Sequence, residues 1–310
     1  MKLLVIGGCG YLGSVLVKKL VSNGHDVSVL DSLLYGACET DVPLIEGDIT
    51  DNKSVSKTLD GKDAIIHLAA IVGEAACNLD ADHSVRVNYL ATRNIAHLCE
   101  ERNLRLLFAS TASVYGALPG LLLNEKAQLF PTSIYATTKL AAEDAVRSIC
   151  RNHVIFRMGT LFGCSPRMRF DLVVNKFVAM AISREPLVVF GGSRIRPLLH
   201  VEDAADAFAK AVESQSGGLF NLGGNNYRIV DVAHIVAEST KVAVNIYEEL
   251  VDRRDYRLDS NLAINAFGVS FPRTVENSIQ HMIELSARLN WKKPIYDNET
   301  WLRNLAVAKS

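Results

Sequence analysis

The chain has 310 residues, of which 49% are apolar, and its formal net charge is −1. This length is enough to bury a large core, in one big domain or two modest ones. Charges of both signs are spread along the sequence, which excludes a nucleic-acid footprint and a membrane-surface patch. No apolar run reaches the roughly 18 residues of a membrane span. The N-terminus runs straight into an apolar segment and a glycine loop, so we expect no targeting segment and a cytoplasmic protein.

The cysteine pattern indicates neither a disulfide framework nor a metal site. No pair has CxxC spacing, and no cysteine and histidine cluster has the spacing of metal ligands. In a chain of this length we expect reduced thiols, and small buried apolar residues for most of them. The six positions are Cys9, Cys38, Cys77, Cys99, Cys150 and Cys164.

In the first half of the chain, short apolar runs alternate with longer amphipathic stretches. The strands are predicted at Lys2–Ile6, Val27–Leu30, Pro43–Glu46, Ala64–His67, Arg105–Ala109 and Val154–Arg157. The helices are predicted at Tyr11–Ser22, Ser84–Glu101 and Ile134–Arg151. The strands are apolar throughout, as strands buried on both faces are. This rhythm predicts an α/β fold with a parallel sheet and helices on both faces.

After about residue 165 the alternation loosens and indicates a smaller second lobe. Helices are predicted at Asp171–Ser183, Val201–Glu213, Val230–Glu238 and Val275–Leu289, and strands at Leu187–Phe190 and Leu219–Leu222. We expect the first domain to span residues 1–165 with a returning segment at about 191–222. The second lobe then comprises residues 166–190 and 223–310.

A glycine loop follows the first predicted strand and opens the first helix. Gly7, Gly10 and Gly13 have G-x-x-G-x-x-G spacing. Glycines permit a tight bend, a close approach of backbone to pyrophosphate, and close packing of helix on strand. The pyrophosphate then lies at a helix N-terminus, where free N–H groups favour negative charge. The loop predicts a dinucleotide site.

Three further strand ends extend this site. Asp31 ends the second strand, where a carboxylate binds both ribose hydroxyls of NAD and repels the 2′-phosphate of NADP. After the third strand, Asp48 is placed on the adenine amino group and Ile49 against the ring. The small residues after the fourth strand let the backbone run close to the cofactor, at Leu68, Ala69 and Ala70, whereas His67 is expected to be a hydrogen-bonded core histidine.

The catalytic residues are predicted after the fifth strand and on the following helix. Tyr135 and Lys139 are four residues apart and share one helix face. A tyrosine has an ordinary pKa of about 10, which is too high for a base at neutral pH, and a nearby ammonium favours the phenolate. The phenolate can take the proton of a substrate hydroxyl while hydride leaves the same carbon. Thr111 supplies a hydroxyl that orients the substrate oxygen and relays the proton.

Together these motifs resemble the extended short-chain dehydrogenase/reductases, specifically the nucleotide-sugar epimerase/dehydratase family, over nearly the whole chain. The resemblance implies a Rossmann-type doubly wound sheet, tightly held NAD and a C-terminal lobe that binds a nucleotide-diphosphate sugar. It also implies a homodimer through the helices Ser84–Glu101 and Ile134–Arg151. The further positions that match the family's cofactor motifs are Tyr11, Leu12 and Asn88.

The resemblance also implies substrate-binding residues. Arg196 and Arg254 lie in stretches similar to the family's diphosphate-binding segments, and forked guanidinium groups suit phosphate. Asn175 resembles a family asparagine that holds the sugar nucleotide, and Ser113 belongs to the polar cluster after the fifth strand.

Departures from the family pattern bear on the reaction. The family's 4,6-dehydratases carry acidic residues where this chain has Ala112 and Ser113, so dehydration is disfavoured. Ser113 replaces the cysteine of the 3,5-epimerase/reductases, which disfavours that chemistry too. The segment Arg157–Gly163 after the sixth strand lacks the asparagine that UDP-galactose 4-epimerases usually have there. These positions leave open which nucleotide and which sugar are used.

Two reactions fit the minimal set Thr111, Tyr135 and Lys139. The first is epimerisation of a nucleotide sugar by oxidation at C4 and return of the hydride to the other face. The alternative is a C4 dehydrogenase or 4-keto reductase without epimerisation. A non-catalytic dinucleotide sensor is disfavoured because such proteins usually lose the tyrosine or the lysine.

Overall fold

The computed structural model describes residues 1–248 and 255–309. Its strands are β1 (Lys2–Ile6), β2 (Asp26–Asp31), β3 (Leu44–Glu46), β4 (Ala64–His67), β5 (Arg105–Thr111), β6 (Ala117–Leu123), β7 (His153–Met158), β8 (Thr160–Phe162), β9 (Leu187–Phe190), β10 (Ile195–His200), β11 (Gly218–Leu222), β12 (Asn225–Arg228), β13 (Val244–Tyr247) and β14 (Asp255–Leu258). Its α-helices are α1 (Gly13–Ser22), α2 (Asn52–Thr58), α3 (Glu74–Leu79), α4 (Ala81–Val85), α5 (Thr92–Glu101), α6 (Ile134–Ile149), α7 (Val173–Ile182), α8 (Val201–Glu213), α9 (Ile229–Thr240), α10 (Asn261–Phe267), α11 (Val275–Ser286) and α12 (Asn298–Lys309).

Seven strands form one sheet in the order β11-β7-β5-β4-β1-β2-β3, and every pairing in it is parallel. The chain leaves β1 towards β2 on one side and later returns to β4 on the other side. This reversal makes the carboxyl ends of β1 and β4 a switch point, where open α/β sheets bind their ligands. The predicted Rossmann-type doubly wound sheet is confirmed.

The sheet is covered by helices on both faces, and its central strands are buried. Every residue of β4 and β5 is buried, as are four of the five residues of β1. One face packs on α1 and α8, and the other packs on α5 and α6, so the core has two layers. Helical faces meet the sheet through apolar residues such as Leu16 and Val146.

The second lobe is built around smaller sheets and a separate apolar cluster. The strands β12, β10 and β8 form one sheet, and β13 pairs with β9. The helices α7, α9 and α11 enclose the cluster that contains Phe162, Phe177 and Met282. The helix α12 returns to pack against α3, and Trp301 Nε1 donates to the carbonyl oxygen of Leu34 over 2.6 Å.

Some elements differ from the sequence prediction. The single helix expected at Ser84–Glu101 is divided into α4, a π-helical turn at Arg86–Ala91, and α5. The strands β6 and β10 and the helix α12 were not predicted. β14 pairs with β6, so a segment of the first 165 residues makes a sheet with the C-terminal part of the chain.

The expectation of reduced thiols is wrong for Cys9 and Cys38, which form a disulfide with a Cα–Cα distance of 5.5 Å. Cys9 lies in the glycine loop after β1, and Cys38 lies in the loop after β2. Because β1 and β2 are neighbours, the fold joins two residues that are 29 positions apart in sequence. The other four cysteines are free, and three of them are buried.

Two absences hold for the part of the chain that the structure describes. No three or more histidine, cysteine, aspartate or glutamate side chains come together as a metal site there. None of its helices combines the length and apolar character needed to cross a bilayer.

Candidate active site

The glycine loop connects β1 to α1, and two of its glycines are required by the geometry. Gly7 has a φ of +88°, and a Cβ there would come within 2.6 Å of the Ala69 backbone nitrogen. A Cβ on Gly13 would lie 2.2 Å from the carbonyl oxygen of Gly7. At Gly10 the same atom would meet only that carbonyl oxygen, at 3.3 Å. The Gly10 position therefore faces open space next to the start of α1.

Asp31 lies at the end of β2, directly beside this loop. Its carboxylate accepts hydrogen bonds from the backbone nitrogens of Cys9 at 2.9 Å and Leu33 at 3.0 Å. Burial raises the pKa of Asp31, while these hydrogen bonds and the charge of Arg167 oppose the shift. Arg167 belongs to the second lobe, and the sequence does not indicate that its charge lies near Asp31.

The adenine side of the predicted site is formed by the ends of β3 and β4. The side chain of Asp48 accepts a hydrogen bond from the Thr50 backbone nitrogen, and Ile49 is buried beside it. The backbone nitrogens of Leu68 and Ala69 both donate to the carbonyl oxygen of Ile6. This ties the segment after β4, which continues to Ala70, to the end of β1.

Asn88 is placed one layer behind the predicted cofactor site. It lies in the π-helical turn and is fully buried. Its side-chain oxygen accepts from the Ile71 backbone nitrogen, and its amide nitrogen donates to the Ile71 carbonyl oxygen and to Thr138. Asn88 therefore fixes the backbone of the loop after β4, and that loop contributes to the predicted cofactor site.

Tyr11 and Asn175 join the two lobes instead of lining the open cleft. The Tyr11 hydroxyl donates to the Gly163 carbonyl oxygen at 2.6 Å and accepts from the Asn175 amide nitrogen at 3.1 Å. The Asn175 oxygen accepts from the Gly163 backbone nitrogen. Both side chains are buried, and burial raises the pKa of Tyr11 far above its ordinary value. Leu12 is likewise buried, in the core next to α1.

Two of the three predicted catalytic residues, Thr111 and Tyr135, line a cleft of about 580 Å³ between the lobes. Thr111 ends β5, and its hydroxyl accepts a hydrogen bond from the Ser113 backbone nitrogen at 3.1 Å. Tyr135 enters the cleft from the first turn of α6, which the hydroxyl of Ser133 caps. Thr111, Ser113 and Tyr135 all line this cleft.

Lys139 lies one turn behind Tyr135 and is buried, with its ammonium 4.0 Å from the centre of the Phe108 ring. Burial lowers the pKa of Lys139 to about 7, while the Glu143 carboxylate opposes that fall. His67 packs nearby and bonds the Thr92 hydroxyl over 2.9 Å. Burial lowers the pKa of His67 to about 3, so it is neutral at physiological pH. It is the hydrogen-bonded core histidine that the sequence predicts.

Basic residues line the far side of the cleft. Arg196 is buried on β10, with its guanidinium 5.5 Å from the centre of the Tyr256 ring. Arg194 lies 3.7 Å from the carboxylate of Asp255. Both arginines border the cleft. Arg254, the other predicted diphosphate ligand, lies outside the described residues.

A family model describes this architecture. The model of the NAD-dependent epimerase/dehydratase family matches residues 3–223. The chain belongs to the NAD-dependent epimerase/dehydratase family. The match covers the glycine loop, Thr111, Tyr135, Lys139 and Arg196, and it confirms the resemblance read from the motifs.

The proteins that are similar to this chain catalyse different reactions, and the chain is compared with three of them. It is 30% identical to a UDP-glucose 4-epimerase of Corynebacterium glutamicum, over 77% of this chain and 80% of that protein. It is 24% identical to a UDP-N-acetyl-alpha-D-glucosaminuronate decarboxylase of Bacillus cytotoxicus, over 97% and 98%. The structure of a Thermus thermophilus UDP-glucose 4-epimerase in complex with NAD superposes with a TM-score of 0.80 at 26% identity, covering 91% of this chain and 99% of that one.

The glycine loop of this family member fits NAD. The Gly10 position leaves room for a pyrophosphate at the N-terminus of α1, and Asp31 presents a carboxylate at the end of β2. A dinucleotide needs both features, one for its diphosphate and one for its ribose hydroxyls. The family member is an NAD-dependent enzyme.

Five charged residues of the cleft were missed at the sequence level: Glu74, Arg169, Asp171, Lys176 and Arg194. Arg169 donates to the Asp171 carboxylate over 3.0 Å. Burial alone would lower the pKa of the Arg169 guanidinium, but interactions with Asp171 and Tyr135 raise that pKa above its ordinary value. The spacing of Arg169 and Asp171 on either side of Phe170 was the available signal, whereas nothing near Glu74 in sequence indicates that it lines the same cleft as Thr111.

Proposed function

We propose that this enzyme is a C4 epimerase of a nucleotide-diphosphate sugar. The observation that carries the proposal is the convergence of Thr111, Ser113 and Tyr135 in one cleft with Arg194 and Arg196 on its far side. The first group offers hydroxyls to a sugar alcohol, and the second offers cations to a diphosphate. The C. glutamicum relative is a UDP-glucose 4-epimerase, so a UDP-hexose is the first candidate substrate.

In the proposed mechanism Tyr135 is the general base for the C4 hydroxyl. Its phenolate takes the hydroxyl proton, the Lys139 ammonium favours that phenolate, and Thr111 donates a hydrogen bond to the substrate oxygen. Bound NAD supplies the two-electron acceptor and donor for C4. In the second half of the reaction Tyr135 returns the proton to the new hydroxyl.

The shape of the cleft suits a sugar that turns over between the two half-reactions. A volume of about 580 Å³ is within the range of pockets that hold a whole small ligand. Arg194 and Arg196 can hold the diphosphate while the sugar ring rotates about its link to it. C4 can then present either face for return of the hydride, while the Tyr135 hydroxyl returns the proton to the oxygen on C4.

The alternative is a C4 dehydrogenase or 4-keto reductase, which would use Thr111, Tyr135 and Lys139 in the same way. The two reactions differ in whether the keto sugar is reduced again before it leaves. Dehydration or decarboxylation adds further steps after oxidation at C4, and dehydration needs an acid and a base near the sugar. Two carboxylates line the cleft, Glu74 and Asp171, and Asp171 pairs with Arg169.

A Tyr135→Phe variant tests the proposal with UDP-glucose as the probe. We expect formation of UDP-galactose by the unmodified enzyme, without accumulation of NADH, and a fall of about a hundredfold or more in the variant because the general base is lost. Product stereochemistry by NMR and NADH absorbance are read from the same sample.

Glu74→Gln is the matched control, because it removes a carboxylic acid from the same cleft. Epimerisation needs no acid there, so this variant should keep its turnover. Full turnover by Tyr135→Phe would refute the catalytic proposal, and NADH accumulation without an inverted sugar would support the dehydrogenase instead.

A further inference from the structure

A fully buried ion pair lies behind Ser110, one of the residues that line the cleft. Glu143 is on α6 and Arg157 is near the end of β7, and their side chains are 0% and 2% exposed. Arg157 donates to Oε2 of Glu143 through Nη2 at 2.7 Å and Nε at 3.0 Å, and its Nε also donates to Oε1 at 3.2 Å. This is a bidentate pair of fixed geometry.

Hydrogen bonds hold the pair on both sides. The Ser110 hydroxyl, which borders the cleft on β5, donates to the Glu143 carboxylate. On the other side, Arg157 donates to the Tyr115 hydroxyl at 3.1 Å, and that hydroxyl donates to Asn221 at 2.7 Å. Glu143 is therefore anchored in one position relative to the cleft.

Stability alone is a weak reason for such a pair. Removing two charges from water costs about as much as their attraction returns, and apolar residues of similar volume often stabilise a protein as well or better. The negative charge of Glu143 stands four residues after Lys139 and eight after Tyr135, so all three share one face of α6.

The surroundings of Lys139 contain few groups that can stabilise its charge. His67 faces it from β4 and is neutral, because burial lowers the His67 pKa to about 3. Cys77 faces it from α3, and burial raises the pKa of that thiol, so it is also neutral at physiological pH. The Phe108 ring offers a cation–π contact, and Glu143 is the anion that acts on the Lys139 ammonium.

We propose that Glu143, anchored by Arg157 and Ser110, is a positioning residue whose fixed negative charge keeps the Lys139 ammonium available to Tyr135. This inference deepens the proposed function, because it concerns the same catalytic pair. Glu143 touches neither the cleft nor the reacting atoms and acts through Lys139. Burial lowers the pKa of Lys139 to about 7 even with Glu143 present, so loss of the carboxylate would lower that pKa further.

The test titrates Lys139 directly by NMR, in NAD-loaded enzyme with lysine labelled with carbon-13 at Cε. The Lys139 signal is assigned as the one missing from Lys139→Arg. In Glu143→Gln we expect its midpoint to fall by about one pH unit or more, because an anion is lost and Arg157 is left uncompensated. In Arg157→Gln we expect the midpoint to rise, and Glu143→Asp should restore nearly the original value.

Glu100→Gln is the matched control, since Glu100 pairs with Arg151 on the exposed surface and far along the chain from Lys139. Its Lys139 midpoint should not move. If Glu143→Gln does not fold, Glu143→Gln with Arg157→Gln removes both buried charges, and a smaller fall is expected because the loss of the Arg157 cation partly offsets the loss of the Glu143 anion. An unchanged midpoint, or shifts of the same sign in the Glu143 and Arg157 variants, would overturn the proposal.

The titration needs no substrate, so it separates this inference from the proposed function. A shifted Lys139 midpoint together with full turnover by Tyr135→Phe would leave the electrostatic role in place and remove the epimerase mechanism. An inactive Tyr135→Phe with an unmoved midpoint in Glu143→Gln would remove only the role of Glu143.

Discussion

Asp31 is the residue on which the choice of cofactor depends. Its carboxylate stands at the carboxyl end of β2 and is held by the backbone nitrogens of Cys9 and Leu33. Two hydrogen bonds fix its direction and leave further lone pairs for ribose hydroxyls. A 2′-phosphate in the same place would meet this negative charge, although Arg167 partly offsets it.

We predict that Asp31→Ala weakens NAD binding about tenfold or more, since a hydrogen bond to a charged acceptor is lost. NADP binding should not weaken, because the repulsive carboxylate is gone. Calorimetry on cofactor-stripped protein measures both dissociation constants. Asp26→Ala, an exposed aspartate at the start of the same strand, is the control. Equal losses of affinity for NAD and NADP would contradict the role given to Asp31.

At this scale the sequence predicted most where residues are close along the chain. Tyr135 and Lys139 are one turn apart on α6, so their helix fixes their relative position. Tyr11 and Asn175 lie 164 residues apart, and only the fold shows that they bond to each other. Asn88 matches a cofactor motif, but its amide bonds the backbone of Ile71, a contact that spacing does not reveal.

In the loop between β1 and α1, Gly13 and Gly10 are needed for two different reasons. The Gly13 position is filled by the Gly7 carbonyl oxygen at 2.2 Å, so that glycine allows the loop to close on itself. The Gly10 position is nearly open, so that glycine leaves room for a ligand.

We predict that Gly10→Ala preserves folding but strongly weakens NAD binding, because the new methyl occupies the place of the pyrophosphate. Gly13→Ala should lower the free energy of unfolding by about 2 kcal/mol or more, since its methyl collides with backbone. Urea unfolding and cofactor titration of both variants measure the two effects. Unimpaired NAD binding by a folded Gly10→Ala variant would show that the cofactor lies elsewhere.

The elements of the large sheet could be predicted because buried parallel strands are continuous apolar runs between helices. The missed strands lack that signal. β6 contains Pro119 and Gly120 and pairs at an edge with β14, and β10 is joined to strands of a mixed sheet. The π-helical turn within the helix expected at Ser84–Glu101 was missed because its residues continue the same apolar spacing.

In the whole molecule, polar contacts and a disulfide fix the dinucleotide half of the site around the glycine loop and the start of α1. The Ser165 hydroxyl donates to the Tyr11 carbonyl oxygen, and the hydroxyls of Ser14 and Ser165 lie 3.0 Å apart. The disulfide between Cys9 and Cys38 ties the glycine loop to the loop after β2. The hydrogen bond between Tyr11 and Asn175 then ties this half of the site to the second lobe.

We propose that the enzyme is a homodimer through the segments that the sequence predicts as the helices Ser84–Glu101 and Ile134–Arg151. Val85 and Leu90 are large apolar residues exposed on the first of these segments. Leu90→Glu should therefore give a monomer, whereas Leu122→Glu, at an exposed apolar position on β6, should leave the dimer intact. Light scattering measures the molar mass. A monomeric unmodified protein would refute the dimer.

The central claim is that the hydrogen removed from C4 beside Tyr135 returns to C4 of the same sugar. The most direct measurement supplies UDP-glucose that carries deuterium at C4 and follows the products by NMR and mass spectrometry. We predict UDP-galactose that retains the deuterium at C4, with no accumulation of reduced cofactor. Loss of the deuterium from C4 of the product, or an oxidised sugar released together with deuterated NADH, would contradict the claim.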